Sequence, residues 1–152
     1  MRRISISIFF FLLSTICIYG QAKIITGKII TEDFEPIGAA SILNENKLLL
    51  GTSKLDGQFK IEIPIESKTL YIGGVGFETA TINLAPGCNC LDVILLLSST
   101  YDFISLKKVD KLRWKQFKKL PELHLTAFQK GIFTADKPCY EEMFIPYNNK
   151  SK

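Results

Sequence analysis

Cysteine and histidine are the residue types in this 152-residue chain that could carry nucleophilic, redox or metal chemistry. Cys88 and Cys90 are separated by one residue, and Cys139 lies far along the chain. In an extended segment Cys88 and Cys90 point to one face without easily reaching disulfide geometry, so we expect Cys139 to pair with one of them. Cys17 lies in an N-terminal apolar run, where the bulky Ile16 before it disfavours lipidation.

Other reactive chemistry has little support in the sequence. The spacing of the first cysteine pair differs from that of zinc knuckles, and His124 is the single histidine. His124 and Cys139 could act as base and nucleophile, but we expect a disulfide at Cys139 and a helix surface at His124. Glu141 and Glu142 are adjacent, so their side chains should diverge as a solvated pair. Because no phosphate-binding or nucleophile-elbow motif occurs either, we expect no enzyme activity, cofactor or metal.

The N-terminus has the pattern of an export signal. Two arginines precede a mainly apolar run of 16 residues, Ile4–Tyr19, followed by small and polar residues. This arrangement is typical of a secretory signal peptide, and the run is shorter than the roughly 20 residues that span a bilayer. Cleavage is expected after Gly20 or Ala22, which makes residues 1–22 the signal peptide. Export would place the chain in an oxidising compartment where disulfides persist.

Residues 23–97 have the pattern of short strands separated by turns. Apolar and polar residues alternate most regularly after Gly57, which predicts that Phe59, Ile61 and Ile63 face one core. Seven short strands without helix signals between them indicate an antiparallel β-sandwich. The predicted strands are Ile24–Glu32, Ile37–Leu43, Lys47–Ser53, Gln58–Ile63, Thr69–Val75, Phe77–Leu84 and Leu91–Leu97.

Five segments of this region carry a family resemblance: Gly27–Ile30, Pro36–Ile42, Gly51–Ser53, Asp56–Pro64 and Val75–Glu78. They resemble the carboxypeptidase-like regulatory domains, which are transthyretin-like β-sandwiches common in exported proteins of Bacteroidetes-type bacteria. The resemblance implies a seven-stranded transthyretin-like sandwich and an accessory role. Similar domains accompany carboxypeptidases or precede TonB-dependent outer-membrane receptors, and this chain is too short to contain either.

The motif residues have structural explanations. Gly57 can supply the positive φ of a turn, Phe59 fills the core, and Gly76 allows a bend. Lys54 stands where the family often has an acidic residue, which weakens any cation-binding role for the adjacent turn. We expect structural roles for the whole set: Gly51, Asp56, Gly57, Phe59, Gly76 and Phe77.

Residues 98–152 form a basic tail, with 11 basic against 6 acidic residues, whereas residues 23–97 have 6 against 9. We predict a basic helix over Lys107–Lys119, a second helix over Pro121–Lys130, and an ordered extended segment over Ile132–Lys152. The apolar positions of the basic helix form no single stripe. Part of it should therefore pack on the sandwich while Trp114 or Phe117 remains available to a partner.

The basic helix has three interpretations. It is a solvated helix, a docking element for an anionic surface of lipid head groups or acidic protein, or a nucleic-acid binder. Export argues against nucleic acid as a partner. The candidate docking residues are Lys107, Lys108, Lys111, Arg113, Trp114, Lys115, Phe117, Lys118 and Lys119.

The sequence predicts a non-catalytic exported binding or assembly module of the bacterial cell envelope. It would be periplasmic, associated with the outer membrane or secreted, without a transmembrane segment after signal cleavage. The expected partner is an envelope protein or an anionic membrane surface. The alternative is an accessory protein that serves a separate peptidase or a TonB-dependent receptor system. Exposed sheet edges leave room for a homodimer, which nothing in the sequence specifies.

Overall fold

A computed structural model describes residues 21–99 and 103–148. The predicted signal peptide up to Gly20, including Cys17, lies outside these residues. The elements are β1 (Ala22–Thr31), β2 (Ser41–Leu43), β3 (Leu49–Thr52), β4 (Gln58–Pro64), β5 (Thr69–Gly73), β6 (Ala80–Leu84), β7 (Cys90–Leu95), α1 (Leu106–Phe117), α2 (Leu120–Gln129) and β8 (Tyr140–Met143). Among the described helices, none is long and apolar enough to cross a membrane.

The strands form two sheets that share one hydrophobic core. One sheet has the order β4-β1-β7 and the other the order β3-β2-β5-β6-β8. Ile25 and Ile61 from the first sheet and Ile42 and Ile72 from the second belong to the same buried cluster. The predicted mainly-β fold class is therefore confirmed.

Two features of the pairing differ from the expected seven-stranded antiparallel arrangement. β1 pairs with β7 in parallel, with Thr26 opposite Cys90 and Thr31 opposite Leu95. The apolar pattern of a strand carries no information about its direction, so this pair could not be predicted from alternation. The tail also adds β8 antiparallel to β6, with Leu84 opposite Tyr140, and the count of seven is not confirmed.

Three predicted strands begin later in the structure than the sequence suggests, and β3 does so by two residues, at Leu49 instead of Lys47. Ile37 and Ala40 flank a turn at Gly38 and Ala39, and the buried Ser53 side chain bonds to the backbone of both. Its hydroxyl donates to Ile37 O at 2.6 Å and accepts from Ala40 N at 2.9 Å. β6 begins at Ala80 because the segment after the turn at Gly76, which has φ 84°, bonds elsewhere: Glu78 N donates to Leu96 O at 2.8 Å, and Ser98 N donates to Gly76 O at 2.9 Å.

The turn before β4 and the start of β4 hold three of the motif residues in structural positions. Gly57 has φ 77°, and a Cβ at this position would collide with Ile29 O. The Asp56 carboxylate accepts a hydrogen bond from Gln58 N at 3.0 Å. Phe59 is 4% exposed and belongs to the core. These contacts give the turn a structural explanation.

The other motif residues also contact the part of the fold formed by β1–β7, which we call the body. Gly51 lies against Ile61, whose methyl group would be 2.9 Å from an added Cβ. Phe77 packs on the core cluster and bridges to Leu97. Close packing against Ile61 thus explains Gly51, and packing on the core with the bridge to Leu97 explains Phe77.

The tail is an ordered layer on the sheets. Both helices lie within two residues of their predicted bounds. Ala127 of α2 and the following Phe133 pack with Ile30 and Ile94 in a second buried cluster. Because Ile30 and Ile94 come from β1 and β7, α2 covers the three-stranded sheet on the side away from the main core.

Candidate functional site: the lysine face and the adjoining cleft

The inner side of α1 is built around a buried arginine. Arg113 is 6% exposed, and its Nε donates to the Glu78 carboxylate at 2.8 Å. Its Nη1 donates to Asp110 Oδ1 at 3.3 Å and to Ile145 O at 3.0 Å, and the guanidinium lies 3.8 Å from the Tyr147 ring centroid. Burial tends to lower the pKa of Arg113, but Glu78, Tyr147 and Asp110 together raise it above its usual value. The Arg113 guanidinium is thus buried and bonded to other residues of the chain, so its assignment as a docking residue is wrong.

Asp110 connects the same cluster to the end of the described chain. Its carboxylate accepts hydrogen bonds from Tyr147 N at 2.8 Å and Asn148 N at 3.0 Å. Burial tends to raise the pKa of Asp110, but these two N–H groups and Arg113 together lower it below its usual value. We call Glu78, Asp110, Arg113 and Tyr147 the Arg113 cluster. It fastens both α1 and the segment after β8 to the body.

This cluster explains why the sequence of α1 shows no apolar stripe. The buried residues of the helix are Val109 and Arg113, one turn apart, and Phe117 one turn further is partly buried. An arginine therefore occupies the centre of the packed side, where a leucine would be expected.

The opposite side of α1 is uniformly cationic. At 100° per residue, the lysines of this region lie in an arc of about 120° centred opposite Arg113. All are exposed, and Asp110, the single acidic residue of α1, is turned toward the body. We call this surface the lysine face; its members are Lys107, Lys108, Lys111, Lys115, Lys118 and Lys119.

Trp114 lies at the border of the lysine face. It is 43% exposed, stacks on Phe117 with ring centroids 5.6 Å apart, and meets Phe144 edge-on at 5.1 Å. Phe117 is less exposed than Trp114, and its ring centroid lies 5.5 Å from that of Phe144. The indole is therefore held in place on one side and open to a partner on the other.

A cleft of about 400 Å³ adjoins this border, between the two helices and strands β7 and β8. Its walls are mostly apolar, and a volume of this size is in the range of small-molecule sites. The walls include Ile94, Trp114, Phe117, Leu120, Pro121 and Tyr140.

Two polar side chains in the cleft already have partners. His124 is 4% exposed and its Nε2 lies 3.2 Å from Ala135 O. Burial lowers the pKa of His124, so the ring is neutral at pH 7. The Tyr140 hydroxyl donates to Asp92 O at 2.8 Å, and burial raises the pKa of Tyr140 well above its usual value. The expected surface position of His124 is therefore wrong, because α2 packs that side on the body.

Glu142 differs from these two polar residues of the cleft. It is partly buried, whereas its neighbour Glu141 is exposed, so the predicted solvated pair is wrong for one member. The alternation of β8 turns these two side chains to opposite faces. Burial, followed by the nearby charge of Glu78, raises the pKa of Glu142 to about 8. Among residues 21–99 and 103–148, its carboxyl group has no hydrogen-bond or ion-pair partner.

The cysteines link the tail to the body covalently. Cys88 and Cys139 form a disulfide with their Cα atoms 5.4 Å apart, which is one of the two pairings left open by the sequence. Cys90 is an exposed thiol whose Sγ lies 3.4 Å from Thr134 Oγ1. Because Cys139 is oxidised, it cannot serve as a nucleophile beside His124. Within the described part of the chain, no group of three or more His, Cys, Asp or Glu residues could hold a metal ion.

Comparisons with known proteins add little to this description. No family model and no curated protein matches the chain. Among solved structures, it is similar to a chain in a cryo-EM structure of an E. coli P pilus tip assembly intermediate, PapC-PapD-PapK-PapG in the second conformation. That match has 16% identity and a TM-score of 0.38, over 57% of this chain and 10% of that chain. A likeness of this strength carries no argument about fold family or function.

Proposed function

We propose that this protein is a non-catalytic binding module of the bacterial cell envelope that docks on an anionic lipid surface through the lysine face. The observation that carries the proposal is the polarity of α1. Six exposed lysines occupy one side of the helix region, while Arg113 and Asp110 fix the other side to the body. A helix held in this way presents its charges without first having to fold.

Electrostatics and the border tryptophan support a lipid surface as the partner. A basic residue near an anionic membrane contributes about 1 kcal/mol, so several lysines on one face can act together. Trp114 lies beside them with an open indole side, and tryptophan is enriched at membrane interfaces. The face would lie flat on the head groups, with the body directed away from the membrane.

The proposal includes an exported transthyretin-like sandwich. Its support is the succession of seven strands from β1 to β7 in two sheets around one core. The Cys88–Cys139 disulfide fits the oxidising compartment that an N-terminal signal peptide would lead to. β1 begins at Ala22, which pairs with Pro64, so cleavage after Gly20 would leave this strand whole.

The test is binding to lipid vesicles by a lysine-face variant and a charge-matched control. The variant replaces Lys107, Lys108, Lys111 and Lys115 with Gln, which keeps helix propensity. The control makes the same change at four exposed lysines elsewhere: Lys54, Lys60, Lys68 and Lys137.

We expect the wild type and the control to bind vesicles rich in phosphatidylglycerol at low salt and to ignore phosphatidylcholine vesicles. The lysine-face variant should bind at least about a hundredfold more weakly, since four contributions of about 1 kcal/mol are removed. If the control variant loses vesicle binding to the same extent, binding depends on net charge and not on the lysine face. Unchanged binding by the lysine-face variant would contradict the proposal.

A further inference from the structure

The cleft beside the lysine face has walls suited to an apolar ligand. Trp114 and Phe117 form one wall from α1, and Leu120 and Pro121 form another from α2. Ile94 of β7 lies in the lining. Burying apolar surface against such walls is favourable in proportion to the area removed from water.

The polar groups of the cleft give an incoming ligand few fixed partners. The His124 ring nitrogen and the Tyr140 hydroxyl already have backbone partners, at 3.2 and 2.8 Å. Glu142 has none among the described residues, and at pH 7 its carboxyl group is mainly protonated because its pKa is about 8. The ligand portion that enters the cleft is therefore uncharged and apolar.

The charges at the mouth of the cleft indicate the chemistry of the ligand's other end. Lys118 belongs both to the cleft lining and to the lysine face, and Lys119 follows it. The lining also includes two acids of β8, the exposed Glu141 and the partly buried Glu142, so Lys118 is the single lysine of the lining. We infer that the cleft binds one acyl chain of an anionic membrane lipid, with the lipid phosphate against Lys118. The inference deepens the proposed function and rests on it for the source of the lipid.

Glu142 should make this binding sensitive to pH. Ionisation of its carboxyl group above pH 8 would place an uncompensated charge beside the acyl chain and weaken binding. The charged and titratable groups around it are Glu78, Arg113, Lys118, His124, Tyr140 and Glu141. Arg113 is ion-paired with Glu78, His124 is already neutral at pH 7, and the pKa of Tyr140 is raised well above 10.

The experiment uses the single tryptophan of the chain as a reporter, because Trp114 lies in the cleft wall. The probe is lauroyl-lysophosphatidylglycerol below its micelle-forming concentration, so that no membrane is present. Fluorescence titrations at pH 7 and pH 9 give the dissociation constants. Glycerophosphoglycerol, which has the head group without the chain, should cause no shift in emission.

We expect a blue shift with saturable binding at pH 7 and about tenfold weaker binding at pH 9, because about one tenth of Glu142 remains protonated there. Glu142→Gln should bind equally at both values, whereas Glu141→Gln should behave like the wild type. Leu120→Asp puts a charge into the cleft wall at the N-terminus of α2. This variant should lose binding at both pH values.

Absence of saturable binding by the wild type would overturn the inference, as would a Glu142→Gln variant that keeps the tenfold pH effect. Because the probe is monomeric, these outcomes are independent of vesicle docking. A wild type that binds the probe but not the vesicles would contradict the proposed function alone. A wild type that binds the vesicles but not the probe would contradict the acyl-chain site alone.

Discussion

The body of β1–β7 and the tail from α1 to β8 are stabilised in different ways. The core of the body consists mainly of buried Ile and Leu side chains from both sheets, so no single contact dominates it. The tail depends on the Arg113 cluster, the Cys88–Cys139 disulfide, one edge strand and a small apolar cluster. Apolar burial is distributed and tolerant, whereas a few polar and covalent contacts are individually decisive. Single substitutions should therefore release the tail while the body stays folded.

The largest such effect should come from the disulfide. Replacing Cys88 and Cys139 with Ser opens a loop with a sequence separation of 51 residues. The chain-entropy model assigns about 4 kcal/mol to a loop of that length. Native-state hydrogen exchange should show this loss in α1, α2 and β8. Equal acceleration in β1 and β4 would mean that tail and body unfold as one unit.

The next effect should come from the buried arginine. Arg113→Met leaves Glu78 and Asp110 without their cationic partner, and removing one member of a buried ion pair costs about 3 kcal/mol. Denaturant unfolding followed by Trp114 fluorescence should show an earlier transition for the tail. Lys111→Met on the exposed side of the same helix is the matched control and should change stability by less than about 0.5 kcal/mol. Equal effects of the two changes would refute the two-sided description of α1.

The smallest effect should come from Asp110. Its folded-state pKa is lowered, so its contribution to stability is fully present above the unfolded pKa and is lost as the pH falls through the folded value. Asp110→Asn should cost about 1 kcal/mol at pH 7, because a neutral amide replaces the ionised acceptor of two backbone N–H groups. The difference from the wild type should shrink in acid. A difference that stays constant down to pH 2 would contradict this role.

Local sequence patterns predicted the body better than they predicted the tail's attachment. Alternation after Gly57 located β4 with its buried Phe59, and turn residues located the other strands to within a few positions. The parallel pairing of β1 with β7 depends on the path of the chain across both sheets, which no local pattern encodes.

The tail's chemistry was harder to predict because it arises from residues far apart in the chain. Arg113 resembled the lysines around it in sequence, and its burial depends on Glu78, 35 residues away. Glu142 belongs to a four-residue strand whose alternation is too short to separate it from Glu141. The odd position of an arginine among the lysines and aromatic residues of α1 was the available signal for the cluster.

The most direct test of the central claim is fractionation of cells that express the native chain, followed by a salt wash of the membranes. The account predicts that the wild type is recovered with membranes and released by salt, because exposed charge contacts weaken as screening rises. The variant with Gln at Lys107, Lys108, Lys111 and Lys115 should be recovered in the soluble fraction. A wild type that is soluble from the start, or that resists the salt wash, would contradict electrostatic docking through the lysine face.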